Sequence, residues 1–130
     1  MVVGAHALAV AGRPRATQDL DIFVEPSSEN ADRLGCALRA FGFPALAAES
    51  HRFAEPDRMA TLGQPPLQID VMTSITGLSF EAAFATRVTV TVGDTVTSFL
   101  GREGLIANKS AAARTKDKLD IALLSESDPE

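Results

Sequence analysis

The chain has 130 residues, 45% of them apolar, with a net charge of −5 and a pI near 5.0. That is the size of one globular domain around a single core, and the acidic balance excludes broad, sequence-independent binding to duplex DNA, which depends on Lys and Arg neutralising phosphates. No run approaches the ~18 apolar residues that span a bilayer, and Met1-Val2-Val3 lacks the basic flank and apolar stretch of a secretion signal, so the expected location is the cytoplasm.

After Gly4, the Ala-rich run "AHALAVAG" predicts a short helix closed by Gly12, followed by a loop with Arg13, Pro14 and Arg15. "DLDIFVE" is rich in Ile, Phe and Val and reads as a strand covered on both faces, ended by Pro26. "SSENADRLGCALRAFGF" predicts a helix with Ser27 or Ser28 as N-cap, an apolar stripe through Ala31, Leu34, Leu38 and Phe41, and Gly42 as its stop. Cys36, the single cysteine, falls in this helix and is expected to be a small buried apolar side chain. The next stretch gives one weak strand near His51, Arg52 and Glu55 and two better ones, the second over Leu67 to Met72 with Asp70 inside it. "LSFEAAFATR" predicts a short helix, and "RVTVTVGDTVTSFL" a β-hairpin turning at Gly93-Asp94. From Arg102 the pattern is helical again, with a break near Thr115 and a second helix through "KDKLDIALLSE". The expected product is a single α/β (α+β) domain over residues 1–126, a small mixed sheet flanked by helices, with a frayed acidic tail at 127–130.

Within this pattern, Asp19 and Asp21 are out of keeping with an apolar strand. Side chains at i and i+2 of a strand share a face, with Cα atoms about 6.5 Å apart, so the two carboxylates form one negative patch. Asp70, held between Ile69 and Val71, has the same setting in a strand that could lie alongside. Three converging carboxylates would disfavour their own joint ionisation, and a divalent cation removes that conflict. Hard oxygen ligands without a nearby His or Cys suit Mg²⁺ or Mn²⁺ rather than zinc. The plain alternative is that Asp19 and Asp21 are ordinary carboxylates at a strand end or turn.

The segments "VGAHALAVAGRPRATQDLDIFV", "LQIDVM" and "LIANKSAAARTKDKLDIALL" together resemble, in order and over nearly the whole chain, the nucleotidyltransferase superfamily, whose core is shared with DNA polymerase beta. The resemblance is closest to a bacterial branch that includes the nucleotidyltransferase-like toxins of abortive-infection systems. It implies Asp19, Asp21 and Asp70 as metal-binding and catalytic residues, and Gly4 and Ala5 at the place where nucleotide phosphates approach the backbone. It further implies Lys109 as a nucleotide-binding lysine and Arg15 and Arg114 as weaker phosphate contacts. A solvated helix face is the competing reading for Lys109, and Lys116 and Asp120, spaced i, i+4, could simply pair with each other. His6 could approach a phosphate, although a structural role on a helix face is the plainer reading.

The chain departs from the family pattern in three ways: Gly4-Ala5 stands where the family has Gly-Gly or Gly-Ser, Gln18 precedes the first aspartate, and only Met1 to Val3 precede Gly4. The abbreviated start is expected to uncover apolar surface and so to require a homodimer or a dedicated protein partner. Three functions follow as expectations. One is a metal-dependent transfer of a nucleoside monophosphate from an NTP to a hydroxyl on protein, RNA or a small molecule. The alternative is a non-catalytic nucleotide- or partner-binding module on the same fold, part of a toxin-antitoxin or mobile-element system. The last is a structural α/β protein whose aspartates are incidental.

Overall fold

The computed structural model of the chain describes residues 1–10, 19–64 and 66–112. The fold is mixed α/β, built on one six-stranded sheet in the order β3-β4-β2-β1-β6-β5. The strands are β1 (Val2–Val3), β2 (Asp19–Phe23), β3 (Met59–Gln64), β4 (Leu67–Met72), β5 (Val88–Val92) and β6 (Thr95–Phe99). β2 runs parallel to β4, and β1 runs antiparallel to β2 but parallel to β6. The outer pairs β3·β4 and β5·β6 are antiparallel hairpins. The helices are α1 (Ala5–Val10), α2 (Ser28–Phe41), α3 (Pro44–Ala47), α4 (Phe80–Ala85) and α5 (Arg102–Ala112). No helix among the described residues is long and apolar enough to cross a membrane.

The parallel pairing of β2 and β4 requires a crossover, and α2 is its longest helix. Ser27 caps α2 by accepting from the Asn30 N–H at 3.1 Å, and Gly42 ends it by donating to the carbonyls of Arg39 and Leu38. Ala31, Leu34 and Leu38 pack with Ala47, Phe53, Leu62, Ile69 and Val71, which covers one face of the β3-β4-β2 half of the sheet. Phe41, expected to complete that stripe, is 63% exposed: it stacks on Phe43 and borders an open apolar groove lined by Leu34, Leu38, Leu62 and Ile69. Cys36 is also exposed rather than buried, since the buried positions Ala31, Gly35 and Leu38 place it on the flank of the inward face.

A second cluster joins Val2, Val3, Ala7, Phe23, Ala83, Phe99, Leu100 and Leu105. Phe23 is wedged edge-on against Phe80, with ring centroids 5.1 Å apart, so α4 and the end of β2 hold each other in place. The weak strand expected near His51 is instead a short 3₁₀ helix over Ser50–Ala54, following α3, with Phe53 buried beneath it. The chain there docks one aromatic onto α2, a local contact that needs no sheet partner. Val2 and Val3 form a strand, which the short apolar start did not predict. The helix expected after Thr115, the tail at 127–130, and Arg13, Arg15, Arg114, Lys116 and Asp120 lie outside the described residues.

Candidate functional site

β2 and β4 set the geometry. Their register pairs Asp19 with Gln68, Leu20 with Ile69, Asp21 with Asp70, and Ile22 with Val71. Ile69 and Val71 therefore face the cluster under α2, while Asp19, Asp21, Gln68 and Asp70 share the opposite face, alongside Phe23 and Met72 at the edge of the second cluster. A one-residue slip would turn every one of these side chains to the wrong side, so the alternation of Leu, Ile and Val with the carboxylates specifies the site together with the core.

Asp21 and Asp70 are direct neighbours across the strands. Burial, then the charge of Asp70, then that of Asp19 push the Asp21 carboxyl above its ordinary value of 3.8, and the Lys109 ammonium opposes them. Asp70 is steadied from its other side, where its Oδ1 accepts from the Thr61 hydroxyl at 2.8 Å and from the Gln68 amide at 3.2 Å. Thr61 pairs with Asp70 in the β3·β4 ladder, so the polar group reaches Asp70 by sheet register alone.

Gly4 lies against the same carboxyl group. It adopts φ 73°, and a Cβ placed there would come within 2.5 Å of Asp21 Oδ2. The glycine that opens α1 is thus required both by its backbone conformation and by the approach of Asp21. Ala5 follows as the first residue of α1, and His6 beside it is half-buried. Lys109, on α5, is 7% exposed, which removes the solvated-face reading for it. It lines a cleft of about 250 Å³ together with Gly4, Asp21, Ser74, Thr76 and Asn108. Asn108 donates to the Thr76 carbonyl at 2.9 Å and so ties α5 to the loop that leaves β4. Ser74, Thr76 and Asn108 escaped the sequence reading. Their signals were the position of "TSIT" directly after the Asp70 strand and of Asn108 directly before Lys109.

The donor set of the site is all hard oxygen, which fits Mg²⁺ or Mn²⁺. Adjacent carboxyl groups whose like charges oppose joint ionisation also mark a position where a cation relieves the conflict. As the side chains stand, no group of three or more His, Cys, Asp or Glu among the described residues is closed around a common point. A larger cleft of about 410 Å³, lined by Phe23, Glu25, Phe80, Glu81 and Phe84, contains none of the three aspartates. No protein-family model matches the chain, and no curated protein matches it.

Proposed function

We propose that the chain is a metal-dependent nucleotidyltransferase that moves a nucleoside monophosphate from an NTP to a hydroxyl acceptor on protein, RNA or a small molecule. The observation that carries this reading is the juxtaposition of Asp21 and Asp70 on adjacent parallel strands, facing a cleft that holds Gly4 and the buried Lys109. Asp19, Asp21 and Asp70 would hold Mg²⁺ or Mn²⁺. The bound ions would neutralise charge on the transferring phosphoryl group and lower the pKa of the attacking hydroxyl.

The protein's own groups have separable tasks. Asp70 accepts the proton of the acceptor hydroxyl as its oxygen forms the new bond to the α-phosphorus. The bond from that phosphorus to the bridging oxygen breaks, and pyrophosphate carries away the electron pair. Lys109 supplies positive charge from a site where water screens it little. Gly4 permits the approach of backbone to carboxylate that a side chain would block.

Titration calorimetry with each NTP in Mg²⁺, on the native chain and on Asp19→Asn, tests the reading. Binding that needs Mg²⁺ and falls at least about tenfold in the variant supports it, because a metal carboxylate is worth more than one ordinary hydrogen bond. Absence of binding for every nucleotide overturns it. A second reading, a module that binds a nucleotide or protein partner without turnover, is favoured by the Thr61 and Gln68 bonds that occupy Asp70 Oδ1. It predicts nucleotide binding with no pyrophosphate release whatever acceptor is supplied.

A further inference from the structure

β5 is an edge strand, and among the described residues no strand pairs with its outer side. Its sequence, Val88-Thr89-Val90-Thr91-Val92, contains neither charge nor proline. Those are two of the devices by which exposed edges normally avoid pairing. The strand also reads the same in both directions. We propose that β5 is the dimerisation edge of this protein, pairing antiparallel with β5 of a second copy about a two-fold axis at Val90 to give one continuous sheet.

Backbone geometry gives the register. Gly93 at φ 64° opens a two-residue turn, so Val92 and Thr95 are the hydrogen-bonded pair that closes the hairpin. By alternation, Val88, Val90 and Val92 direct their N–H and C=O groups to β6, and Thr89 and Thr91 direct theirs outward. Pairing about Val90 sets Thr89 opposite the partner copy's Thr91 and Thr91 opposite its Thr89. Those are the residues with free outward groups, so both pairs exchange their bonds. The same register brings Val88 against the partner copy's Val92 in a close, non-hydrogen-bonded pair. These two valines, 45% and 55% exposed in the single chain, then cover each other.

Charge agrees with this register. Arg87 lies just before β5 and Asp94 just after it, and antiparallel pairing about Val90 places Arg87 opposite Gly93 of the other copy, beside its Asp94. Arg87 is already positioned, its guanidinium 3.9 Å from the Phe84 ring centre and donating to the Phe84 carbonyl at 3.0 Å. The pairing consumes the edge of both copies, so assembly closes at two. The acidic cluster sits on β2 and β4, away from this edge, and the proposal does not depend on what those residues do.

Sedimentation of the full chain from about 10 to about 100 µM tests the proposal, because assembly follows concentration. The expected species has twice the 13.7 kDa mass of the chain. Thr91→Pro removes one outward donor at a place where an edge strand tolerates proline, and it is expected to give a monomer with an unchanged circular dichroism spectrum. Asp94→Arg, which keeps the backbone intact, is expected to weaken the dimer about tenfold, since two opposed pairs are lost at once. Adding Arg87→Asp to it restores most of that loss. A monomer throughout the range, a dimer that survives Thr91→Pro in folded protein, a dimer indifferent to Asp94→Arg, or open-ended aggregation overturns the proposal.

Discussion

Asp21 and Asp70 occupy facing positions on parallel strands, and after burial the charge of Asp70 is the main cause that holds the Asp21 carboxyl above its ordinary range. Folding raises Asp21 above its ordinary value of 3.8, so the native state keeps a proton that the unfolded chain has already released. The stabilisation is complete below that value and is lost as pH rises through the raised pKa. Asp21→Asn removes the ionisation. The metal-free variant is therefore expected to melt above the native chain at pH values above the raised pKa, with the gap widening as pH rises from about 4 through that pKa. Thermal melts across that range check it, and a gap that stays constant would refute the assignment. Added Mg²⁺ is expected to raise the melting temperature of the native chain and leave that of the variant unchanged.

Replacing Lys109 tests the opposing charge. Lys109 lowers the pKa of Asp21, so Lys109→Met moves the titration of Asp21 to higher pH. The carboxyl resonance of Asp21, followed by NMR against pH, reports this directly. The chain is expected to remain folded, because an apolar residue of similar length fills a position that is 7% exposed.

Gly4→Ala combines two penalties. The left-handed backbone costs about 1–2 kcal/mol for a residue with a Cβ, and the new methyl displaces Asp21. Gly93→Ala, at φ 64° with nothing within 4 Å of its added Cβ, carries the backbone penalty alone. Denaturant melts are expected to rank Gly4→Ala below Gly93→Ala. Only the former is expected to change the pH dependence described for Asp21.

Leu105 is fully buried where α5 meets the core. Leu105→Ala is expected to cost about 2–5 kcal/mol. It is also expected to loosen Lys109, one helical turn further along α5, so that nucleotide binding falls together with stability. Equilibrium unfolding and calorimetry on the same preparation separate the two effects.

The local signals were legible where one period dominated. Ser27, the stripe from Ala31 to Leu38 and Gly42 outlined α2 from cap to cap, and Gly93-Asp94 located the hairpin. The shared face of Asp19 and Asp21 followed from strand alternation, and the setting of Asp70 between Ile69 and Val71 raised the possibility of a neighbouring strand. Other features depend on contacts between distant segments. Pairing of Val2 with Phe99 and the burial of Lys109 follow from how α5 packs against the sheet, which no local period encodes. The stretch around Phe53 has too short an apolar pattern to distinguish a strand from a single 3₁₀ turn. The exposure of Cys36 depends on how wide a stripe of α2 its partners cover.

Val2 and Val3 are the entire splice between the ladder of β3, β4 and β2 and the hairpin of β5 and β6. Reciprocal bonds between Met1 and Phe23, at 3.0 and 2.8 Å, hold one side, and the Leu100 N–H to the Val2 carbonyl, at 2.8 Å, holds the other. Within the sheet, a tear would meet fewer strand bonds along this seam than along either ladder. Asp21 stands on one lip of the tear, opposite Val3 in the register, while Lys109 follows from the strand on the other lip. The cleft therefore inherits the least redundant stitch in the fabric.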